Sequence, residues 1–413
     1  MRLLFLTAQL PEPPHAGGAL RTNGLMRQAH AAGHEVHLLS FGEADQLRLN
    51  RAALDEFCAH VETVPPPRRT LAGRLRDLLA GHADMQRRFA APRYAEKLAA
   101  TLARTAFDVV QIESLEMATY LPVIQRAQPQ TPVIYDSFNA EYALQRSIYL
   151  AERGNVRRWV GALYSWVQWR RLTHFERHVC RSVAHVVAVS EADAAAFRRL
   201  APDVPVSVVP NGIYAARYAE LDGSLDLGEA ALVFTGSMSY RPNVDAALWF
   251  ADEVLGRVRA HVPQAKFFVV GSRPHARLNA LRERDEVQVT GWVPDVAPFL
   301  SAATVYVVPM RMGSGTRLKL LQALAAGKAV VSTPTGAQGL DVRDGQELRL
   351  AANAADFAQA VVELLQDPAQ REALGQAGQE FVRARYDWAV IAPRLLRVYD
   401  QVTASVQPEG GFP

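Results

Sequence analysis

The residues with the clearest chemical purpose lie near position 317, where small residues precede two cations. The run Gly313-Ser314-Gly315-Thr316 leads into Arg317 and Lys319, and the pattern predicts a helix from about Gly315 to Ala326 after a buried strand. Backbone N–H groups and the positive end of the helix dipole attract anions there. Arginine can also donate to two phosphate oxygens at once. The pattern predicts a diphosphate site, although a capped helix with solvated cations explains the same residues equally well.

A weaker anion signal lies in the first strand–helix loop. Gly17 and Gly18 precede a predicted helix, and adjacent glycines let the backbone approach an anion closely. The dinucleotide fingerprint G-x-G-x-x-G is absent, so a nicotinamide site is disfavoured. A structural turn remains an equal alternative for this pair.

Carboxylates at the ends of two predicted strands are the candidates for catalytic groups. Glu113 follows one strand, and Asp136 and Glu141 lie at the end of the next. Ligands of open α/β sheets bind at this edge. For each carboxylate, a helix cap or loop contact is as good an explanation as catalysis. No His-x-Glu or Asp-x-Asp cluster lies at the end of a predicted strand, so we expect no metal site.

The elements that would position these residues form two successive α/β series. Short apolar runs alternate with helical segments, which is typical of open parallel sheets. The predicted strands cover residues 2–8, 35–39, 109–112, 133–136, 185–189 and 206–209 in the first series, and 231–235, 266–270, 287–290, 304–308 and 329–332 in the second.

The break between the series predicts two domains. We expect an N-terminal domain over 1–212, a polar linker over 213–229 and a second domain over 230–386. The final helix, 387–404, packs back on the first domain or closes the second one. The polar tail 406–413 is expected to be disordered.

Composition excludes several classes of protein. A net charge of +3 is too small for a general nucleic-acid binder. No apolar run approaches the length of a membrane span, and the one at the N-terminus meets Pro11 within a few residues. Cys58 and Cys180 are far apart and suit free thiols in a reducing compartment. We therefore expect a cytoplasmic protein.

Residues 155–181 combine tryptophans with arginines, among them Trp166, Trp169 and Arg170. Such a helix can lie on an anionic membrane surface, which would suit an enzyme with a lipid-linked acceptor. A surface helix whose tryptophans pack on the first domain is the more common outcome of such a composition. No nucleic-acid module accompanies the segment.

Four motifs in this order carry a family resemblance. The run 317–332, with Pro210-Asn211-Gly212, Gly236-Ser237-Met238 and Gly291-Trp292-Val293, resembles the retaining glycosyltransferases of GT-B fold (glycosyl transferases group 1, family 4-like). The similarity covers nearly the whole chain, up to Tyr386-Asp387-Trp388. It implies an α/β fold of two Rossmann-like, doubly wound domains facing a central cleft.

The resemblance also implies roles for individual residues in binding a nucleotide-sugar donor. The glycine pair would face the phosphates, the cations would hold the diphosphate, and the loop at 291–293 would bracket the base. The residues assigned to the donor are Gly17, Gly18, Gly236, Ser237, Arg241, Gly291, Trp292, Val293, Gly313, Ser314, Gly315, Thr316, Arg317, Lys319 and Gln322.

Three positions depart from the family pattern. Ser314 and Gln322 replace the two glutamates of the Glu-x7-Glu motif, which touch the donor sugar and the ribose. Phe138 stands where many relatives have histidine. Gln322 can still bond ribose hydroxyls, but without charge, so a modest loss of donor affinity is expected.

The implied function is a retaining, metal-independent transfer of a hexosyl group from a UDP-, GDP- or dTDP-sugar to a saccharide, lipid-linked or other glycoconjugate acceptor. No further cofactor and no nucleic-acid partner are expected. The protein would be cytoplasmic, with peripheral contact to the inner face of the membrane through 155–181. A nucleotide-sugar epimerase of the same fold and a non-catalytic donor-binding subunit are the alternatives.

Overall fold

The computed structural model of the protein describes residues 1–14, 17–70, 73, 76–77, 80–152, 159–219, 221, 223–312 and 317–405. The predicted roles of Gly313, Ser314, Gly315 and Thr316 therefore fall outside the described residues. The same holds for residues 155–158 of the basic–aromatic segment and for the tail 406–413.

The described part of the chain divides into two compact units. One comprises Met1–Pro210 with Ile391–Pro413, and the other comprises Asn211–Val390. Each is built on its own parallel sheet with its own apolar core.

The first unit contains, among its described residues, a seven-stranded parallel sheet of order β3-β2-β1-β4-β5-β6-β7. Its strands are β1 (Arg2–Thr7), β2 (Glu35–Phe41), β3 (His60–Val64), β4 (Val109–Glu113), β5 (Val133–Ser137), β6 (His185–Ala188) and β7 (Val206–Val208). The inner strands are buried on both faces, which explains why they read as continuous apolar runs. β3 was missed because its sequence, HVETV, alternates polar and apolar residues.

Helices cover this sheet. They are α1 (Gly17–Ala31), α2 (Ala44–Asp55), α3 (Asp84–Arg88), α4 (Pro92–Arg104), α5 (Leu121–Ala127), α6 (Glu141–Glu152), α7 (Trp159–Arg181) and α8 (Glu191–Leu200), with a 3₁₀ helix at Leu115–Tyr120.

The second unit repeats the arrangement over its described residues, with a six-stranded parallel sheet of order β10-β9-β8-β11-β12-β13. Its strands are β8 (Ala231–Thr235), β9 (Lys266–Val270), β10 (Val287–Gly291), β11 (Val305–Val308), β12 (Val330–Ser332) and β13 (Arg349–Leu350). Its helices are α9 (Ala215–Ala219), α10 (Arg241–Trp249), α11 (Leu255–Arg259), α12 (Ala297–Ala302), α13 (Leu318–Ala325), α14 (Ala354–Gln366) and α15 (Pro368–Tyr386), with a π turn at Phe250–Val254 and a 3₁₀ helix at Ala276–Glu283.

The segment predicted as a linker belongs to the second unit instead. It contains α9, and its buried residues Ile213 and Ala215 join the second core. Asp387 Oδ2 accepts a hydrogen bond from Ala215 N at 3.0 Å. Packing and this cap order a stretch that looked polar in sequence.

The last helix, α16 (Trp388–Ala404), contributes to both units. Its first turn lies in the second unit, where a Cβ on Gly212 would come within 2.5 Å of the Trp388 ring. From Ile391 onward it belongs to the first unit, where Tyr399 is fully buried. Over the described residues, no helix is long and apolar enough to cross a membrane.

Candidate functional site

In each sheet, one pair of neighbouring strands marks the point where the strand order reverses. β1 lies beside β4 in the first unit, and β8 lies beside β11 in the second. Ligands of open α/β sheets bind beyond the carboxyl ends of the strands at this switch point. The candidate residues collect at both switch points.

The switch point of the second unit carries two cations, Arg317 and Lys319, which we call the cation pair. Arg317 directly precedes α13 and is 7% exposed, and no described residue accepts a hydrogen bond from its Nε or Nη2. Lys319 Nζ donates to Asn243 Oδ1 at 2.7 Å and lies 4.2 Å from the centre of the Phe234 ring. Because buried donors are normally satisfied, the open donors of Arg317 indicate an anion-binding site.

The electrostatics of the cation pair lead to the same conclusion. Burial lowers the pKa of Arg317, and the nearby Tyr240 only partly opposes this. Burial, followed by the charge of Arg317, lowers the pKa of Lys319 well below its usual value. A bound anion would favour the charged form of both groups.

The backbone after β8 approaches the cation pair closely. Gly236 has φ 154°, and a Cβ there would lie 2.7 Å from both Lys319 Nζ and Asn243 Nδ2. Asn243 Nδ2 donates to Ser237 O at 2.9 Å, while the Ser237 and Ser239 hydroxyls are 3.1 Å apart. Gly236 and Ser237 thus lie at the same centre as the cation pair, as the sequence predicts.

Gln322 and Arg241 lie on the helices that flank this centre. Gln322 Nε2 donates to the phenol oxygen of Tyr218 at 2.9 Å, so the amide already has a fixed orientation. Arg241 is exposed at the first residue of α10. Their proposed contacts with a donor stay predictions.

The loop at 291–293 lies further along the same edge of the sheet. Gly291 ends β10 with φ 79°, Trp292 is 67% exposed, and Val293 packs against the second core. β10 is two strands from β8, which corresponds to about 10 Å. The exposed indole does not pack in the core, so it could contact a nucleobase in that loop.

At the first switch point, a cavity of about 210 Å³ lies beyond β1 and β4; we call it the first-unit cavity. Its polar lining includes Thr7, Thr22, Glu113, Ser114 and Glu116, and its aromatic lining is Phe89 and Phe138. Gly18 also borders it, and a Cβ there would lie 2.8 Å from the Phe138 ring. Gly18 therefore makes room for an aromatic wall, which gives it a steric function here. Gly17 is the exposed first residue of α1.

Glu113 is buried in the wall of this cavity. Its Oε2 accepts from Thr22 Oγ1 at 2.8 Å, and its Oε1 accepts from Gln111 Nε2 at 2.7 Å. Burial, followed by the neighbouring charge of Asp136, raises the pKa of Glu113 well above its usual value, and Arg21 offsets this only in part. Burial in this wall therefore favours the protonated form of Glu113 more than water does.

Asp136 is engaged differently from the catalytic role predicted for it. Both of its oxygens accept from Arg21, at 2.7 Å from Nε and 2.5 Å from Nη2, and both side chains are almost wholly buried. Arg21 Nη1 also donates to Val209 O at 2.9 Å. This buried bidentate pair favours a structural role for Asp136, because both oxygens are already bound to a fixed cation.

Glu141 lies at the first residue of α6 and is not part of the cavity lining. Burial and the adjacent Glu176 raise its pKa to about 8. Glu176 has its own pKa raised to about 7, mainly by burial, and accepts from the N–H groups of Glu141 and Tyr142 at 3.1 and 2.8 Å. The two carboxyl groups therefore sit at the N-terminus of α6, whose N–H groups offset only part of the cost of burying them.

Sequence reasoning missed the residues that hold these carboxylates. Arg21 lies four and eight positions before Leu25 and Ala29, which are buried on the same face of α1. An arginine on an apolar helical stripe predicts a buried carboxylate partner, so the signal was present. Thr22, which donates to Glu113, gave no such signal.

Comparison with known proteins agrees with the two-unit architecture. The family profile described as "Glycosyl transferase 4-like domain" matches residues 16–212, and the profile "Glycosyl transferases group 1" matches residues 229–367. The phosphatidyl-myo-inositol mannosyltransferase of Mycobacterium tuberculosis is 31% identical over 210 residues, which are 48% of this chain and 54% of that protein. The chain thus spans about half the length of the curated relatives it matches.

Solved structures show the same fold. Sucrose-phosphate synthase from Thermosynechococcus elongatus superposes with a TM-score of 0.69 at 18% identity, covering 98% of this chain and 100% of that one. HepE of Anabaena in complex with UDP-glucose superposes with a TM-score of 0.64 at 15% identity, covering 97% and 100%.

Two Rossmann-like units with a cationic switch point define a protein of the GT-B class. Within that class, the chain belongs to the glycosyl transferases of group 1 with a family 4-like N-terminal half. The family resemblance seen in the sequence is therefore confirmed.

Proposed function

We propose that the protein is a retaining, metal-independent glycosyltransferase that moves a hexosyl group from a UDP-, GDP- or dTDP-sugar to a saccharide, lipid-linked or other glycoconjugate acceptor. The observation that carries the proposal is the cation pair. Arg317 and Lys319 are buried at the switch point of a Rossmann-like sheet, and no described carboxylate is ion-paired with either. Such a place suits the diphosphate of a nucleotide donor.

The chemistry follows from where charge develops. When the bond from the anomeric carbon to the diphosphate breaks, negative charge builds on the leaving oxygen, and the cation pair stabilises it. Two fixed cations supply the charge that a divalent metal supplies elsewhere, which supports metal independence.

The state of the carboxylates supports a reaction without a protein base. Asp136 is paired with Arg21, and burial raises the pKa of Glu113, which makes it a weaker base. The acceptor oxygen would attack from the face that the diphosphate leaves, and the departing phosphate oxygen would take the acceptor proton. The new glycosidic bond then has the configuration of the bond that was broken.

Relatives support the substrate classes. HepE was solved with UDP-glucose, and the mycobacterial relative is named for transfer of mannose to phosphatidyl-myo-inositol. A nucleotide-sugar donor and a glycolipid or saccharide acceptor accord with both names, and with action in the cytoplasm where such donors are made.

Contact with the inner face of the membrane is a further part of the proposal. Leu163, Tyr164 and Trp166 on α7 are 53, 49 and 38% exposed, and Arg170 lies 5.6 Å from the ring of Trp166. By contrast, Trp169 stacks on Tyr149 at 5.9 Å and packs within the unit. Exposed aromatic and aliphatic side chains beside a cation suit an anionic lipid surface.

The donor proposal is tested by titrating UDP, GDP and dTDP calorimetrically and by following hydrolysis and transfer of their sugars. Arg317→Ala and Lys319→Ala should each weaken binding of the preferred nucleotide about 10- to 100-fold, the worth of a charged hydrogen bond. Arg311→Ala is the matched control, because Arg311 also follows β11 but is ion-paired with Asp245 at 2.9 Å.

The outcomes separate the alternatives. Turnover with transfer supports the proposal, an epimerised sugar product supports an epimerase, and tight binding without turnover supports a non-catalytic subunit. If no nucleotide binds, or if the Arg317 and Lys319 variants match the Arg311 control, the donor assignment is wrong.

Sedimentation with vesicles tests the membrane contact. The wild-type chain should bind phosphatidylglycerol vesicles more than phosphatidylcholine vesicles, and Leu163→Ser with Trp166→Ser should remove most of the bound fraction. Leu49→Ser is the control, since Leu49 on α2 is 84% exposed but lies outside the α7 patch. Equal losses in both variants would contradict the assignment.

A further inference from the structure

Three consecutive N–H groups at the start of α6 donate to carboxylates from two other helices. Ala140 N donates to Asp193 Oδ1 at 2.9 Å, and Asp193 lies in the first turn of α8. Glu141 N and Tyr142 N donate to the two oxygens of Glu176 at 3.1 and 2.8 Å, and Glu176 lies in the last turns of α7. A helix is usually capped by the residue that precedes it, whereas this one is held by side chains from outside.

Glu176 is fully buried and accepts from three donors. Besides the two N–H groups, Tyr135 Oη on β5 donates to its Oε1 at 3.2 Å. Burial of a carboxylate costs free energy unless hydrogen bonds compensate for it, and removal of the acceptor leaves each buried donor unsatisfied. The carboxylate therefore ties α7, β5 and the start of α6 together at one point.

The loop between β5 and α6, residues 137–140, ends at this point. Phe138 in the loop lines the first-unit cavity, and a Cβ on Gly18 would lie 2.8 Å from its ring. Ser137 Oγ donates to Asn139 O at 2.5 Å, which closes the loop on itself. A short loop that is closed at its start and held at its end has little freedom. The carboxylates at its end therefore fix the position of the Phe138 ring in the cavity wall.

A second carboxyl group lies at the same helix start. Burial, followed by the charge of Glu176, raises the pKa of Glu141 to about 8. Glu116 on the 3₁₀ helix adds to this shift, and Arg88 on α3 opposes it. Burial also raises the pKa of Glu176 to about 7; its three hydrogen bonds oppose this shift, and the charge of Asp193 adds to it.

The hold on α6 should therefore weaken as pH rises. Both carboxyl groups have a folded-state pKa above the ordinary value of 4.5, so their ionisation opposes the folded arrangement. The effect is complete above about pH 8, where two carboxylates lie side by side. Tyr135 and Cys180, which also face Glu176, keep their protons in this range because burial raises the pKa of both.

We propose that Glu176 is a positioning residue for glycosyl transfer, which holds the start of α6 from α7 and thereby fixes the wall that Phe138 forms in the first-unit cavity. It acts through the backbone of residues 140–142 and does not contact the reacting groups. Its effect on turnover rests on the proposed function, whereas its hold on the loop stands without it.

Hydrogen exchange of the full chain tests the hold itself. Glu176→Ala should accelerate exchange at the amides of 140–142 by about tenfold or more, because two N–H groups lose their acceptor. Glu176→Gln keeps one oxygen and should accelerate it about threefold, which leaves a test if Glu176→Ala does not fold. Glu347→Ala is the control: Glu347 is a buried carboxylate of the second unit that accepts from Arg343 N at 2.7 Å, and its loss should not affect 140–142.

Turnover tests whether the hold matters for the reaction. UDP-glucose and GDP-mannose serve as probe donors, and kcat is expressed per nucleotide-binding site found by calorimetry. Glu176→Gln should lower kcat about tenfold or more, since small misplacements near a reacting centre are costly. The KM for the donor should change less than about twofold, because the cation pair lies in the other unit.

The pH profile separates positioning from a merely structural role. In the wild type, kcat and the protection of 140–142, corrected for the intrinsic pH dependence of exchange, should both fall about three- to tenfold between about pH 7 and 9. Both falls should be absent in Glu176→Gln, since no second charge then develops beside Glu141. A general loss of stability would lower activity without removing this pH dependence.

The inference is overturned if Glu176→Ala and Glu176→Gln leave exchange at 140–142 unchanged, if the kcat of Glu176→Gln matches that of the Glu347→Ala control, or if the pH dependence survives in Glu176→Gln. Absence of nucleotide binding and turnover in the wild type, together with the expected exchange results, would refute the proposed function and leave the hold on α6 standing. Normal binding and turnover with unchanged exchange would refute this inference alone.

Discussion

The two switch points occupy equivalent places in sheets of the same strand order, yet their chemistry is opposite. In the first unit, Asp136 is neutralised by Arg21, and burial raises the pKa of Glu113. In the second, Arg317 and Lys319 are buried without a described carboxylate partner. One backbone arrangement therefore offers a cavity lined by carboxyl groups in one unit and an unneutralised cationic site in the other. The difference resides in side chains, which is why function cannot be taken from the fold.

The largest effect is expected when the ion pair that neutralises Asp136 in the first unit is removed. Arg21→Met leaves the buried carboxylate of Asp136 without its partner, and we expect a loss of about 3–5 kcal/mol in the stability of the first unit. Hydrogen exchange of the β1 and β5 amides measures it. Arg21→Met with Asp136→Leu should recover most of the loss; a single variant that loses less than about 1 kcal/mol would contradict the pairing.

In the second unit, no carboxylate among the described residues neutralises the cation pair, so nucleotide binding there should depend on pH. The pKa of Lys319 is lowered in the free protein and should rise when an anion binds. UDP affinity should therefore fall as pH rises through the free-protein pKa, by up to about tenfold per pH unit, and binding should take up protons in that range. Calorimetry in buffers of different ionisation enthalpy measures the uptake.

Lys319→Met is the control for this effect, since the nucleotide's own titration remains in it. Without a nucleotide, the stability of the wild type should rise with pH between the lowered pKa of Lys319 and its ordinary value of 10.5, because the unfolded chain binds the extra proton there. An unchanged proton uptake in Lys319→Met would show that another group responds.

Gln322→Glu should change the UDP affinity of the second unit by a smaller amount. A carboxylate at this position would bind ribose hydroxyls with charge-assisted bonds and would still accept from Tyr218, which now accepts from the amide at 2.9 Å. UDP affinity should rise about 2- to 10-fold, and Gln322→Ala should lower it by a similar factor. A fall in affinity with Glu would mean that this residue does not face the ribose.

The smallest expected effect concerns Glu141, whose pKa is raised to about 8 in the folded protein. Because the same group in the unfolded chain has the ordinary pKa of 4.5, its ionisation opposes folding above pH 4.5. This destabilisation is absent well below pH 4.5, grows as pH rises and levels off above about 8. Because the Glu141 side chain is only partly buried, water screens much of this effect, and Glu141→Gln should raise Tm by about 2–4 °C at pH 8 and hardly at pH 4. The same variant tests the predicted catalytic role, because a loss of turnover of about 100-fold or more would be expected of a catalytic group.

The strand pattern was predictable because buried parallel strands are continuous apolar runs, and β8 and β9 match their predicted bounds. The two-residue strand β13 and the edge strand β3 lack such runs. Helix α13 begins at Leu318, later than predicted, since propensity does not locate the first residue of a helix well.

The donor side could be inferred from local sequence because Gly236, Arg317 and Lys319 each stand next to a strand or helix end. The first-unit cavity could not. Its network joins Thr22, Gln111, Glu113 and Tyr399, and its hydrogen-bonded pairs lie up to 288 positions apart in the sequence. Only the folded chain brings such residues together, and a tyrosine in the last helix gives no hint of a partner near position 111.

The path of α16 has a consequence for how the chain is made. The first unit includes Ile391–Pro413, whereas the second is one uninterrupted stretch. On the ribosome, the first unit therefore cannot be completed until the residues from Ile391 onward have emerged, and the second unit can finish before it. A premature stop before Ile391 would spare the second unit and leave the first without Tyr399, so the two units differ in their tolerance of truncation.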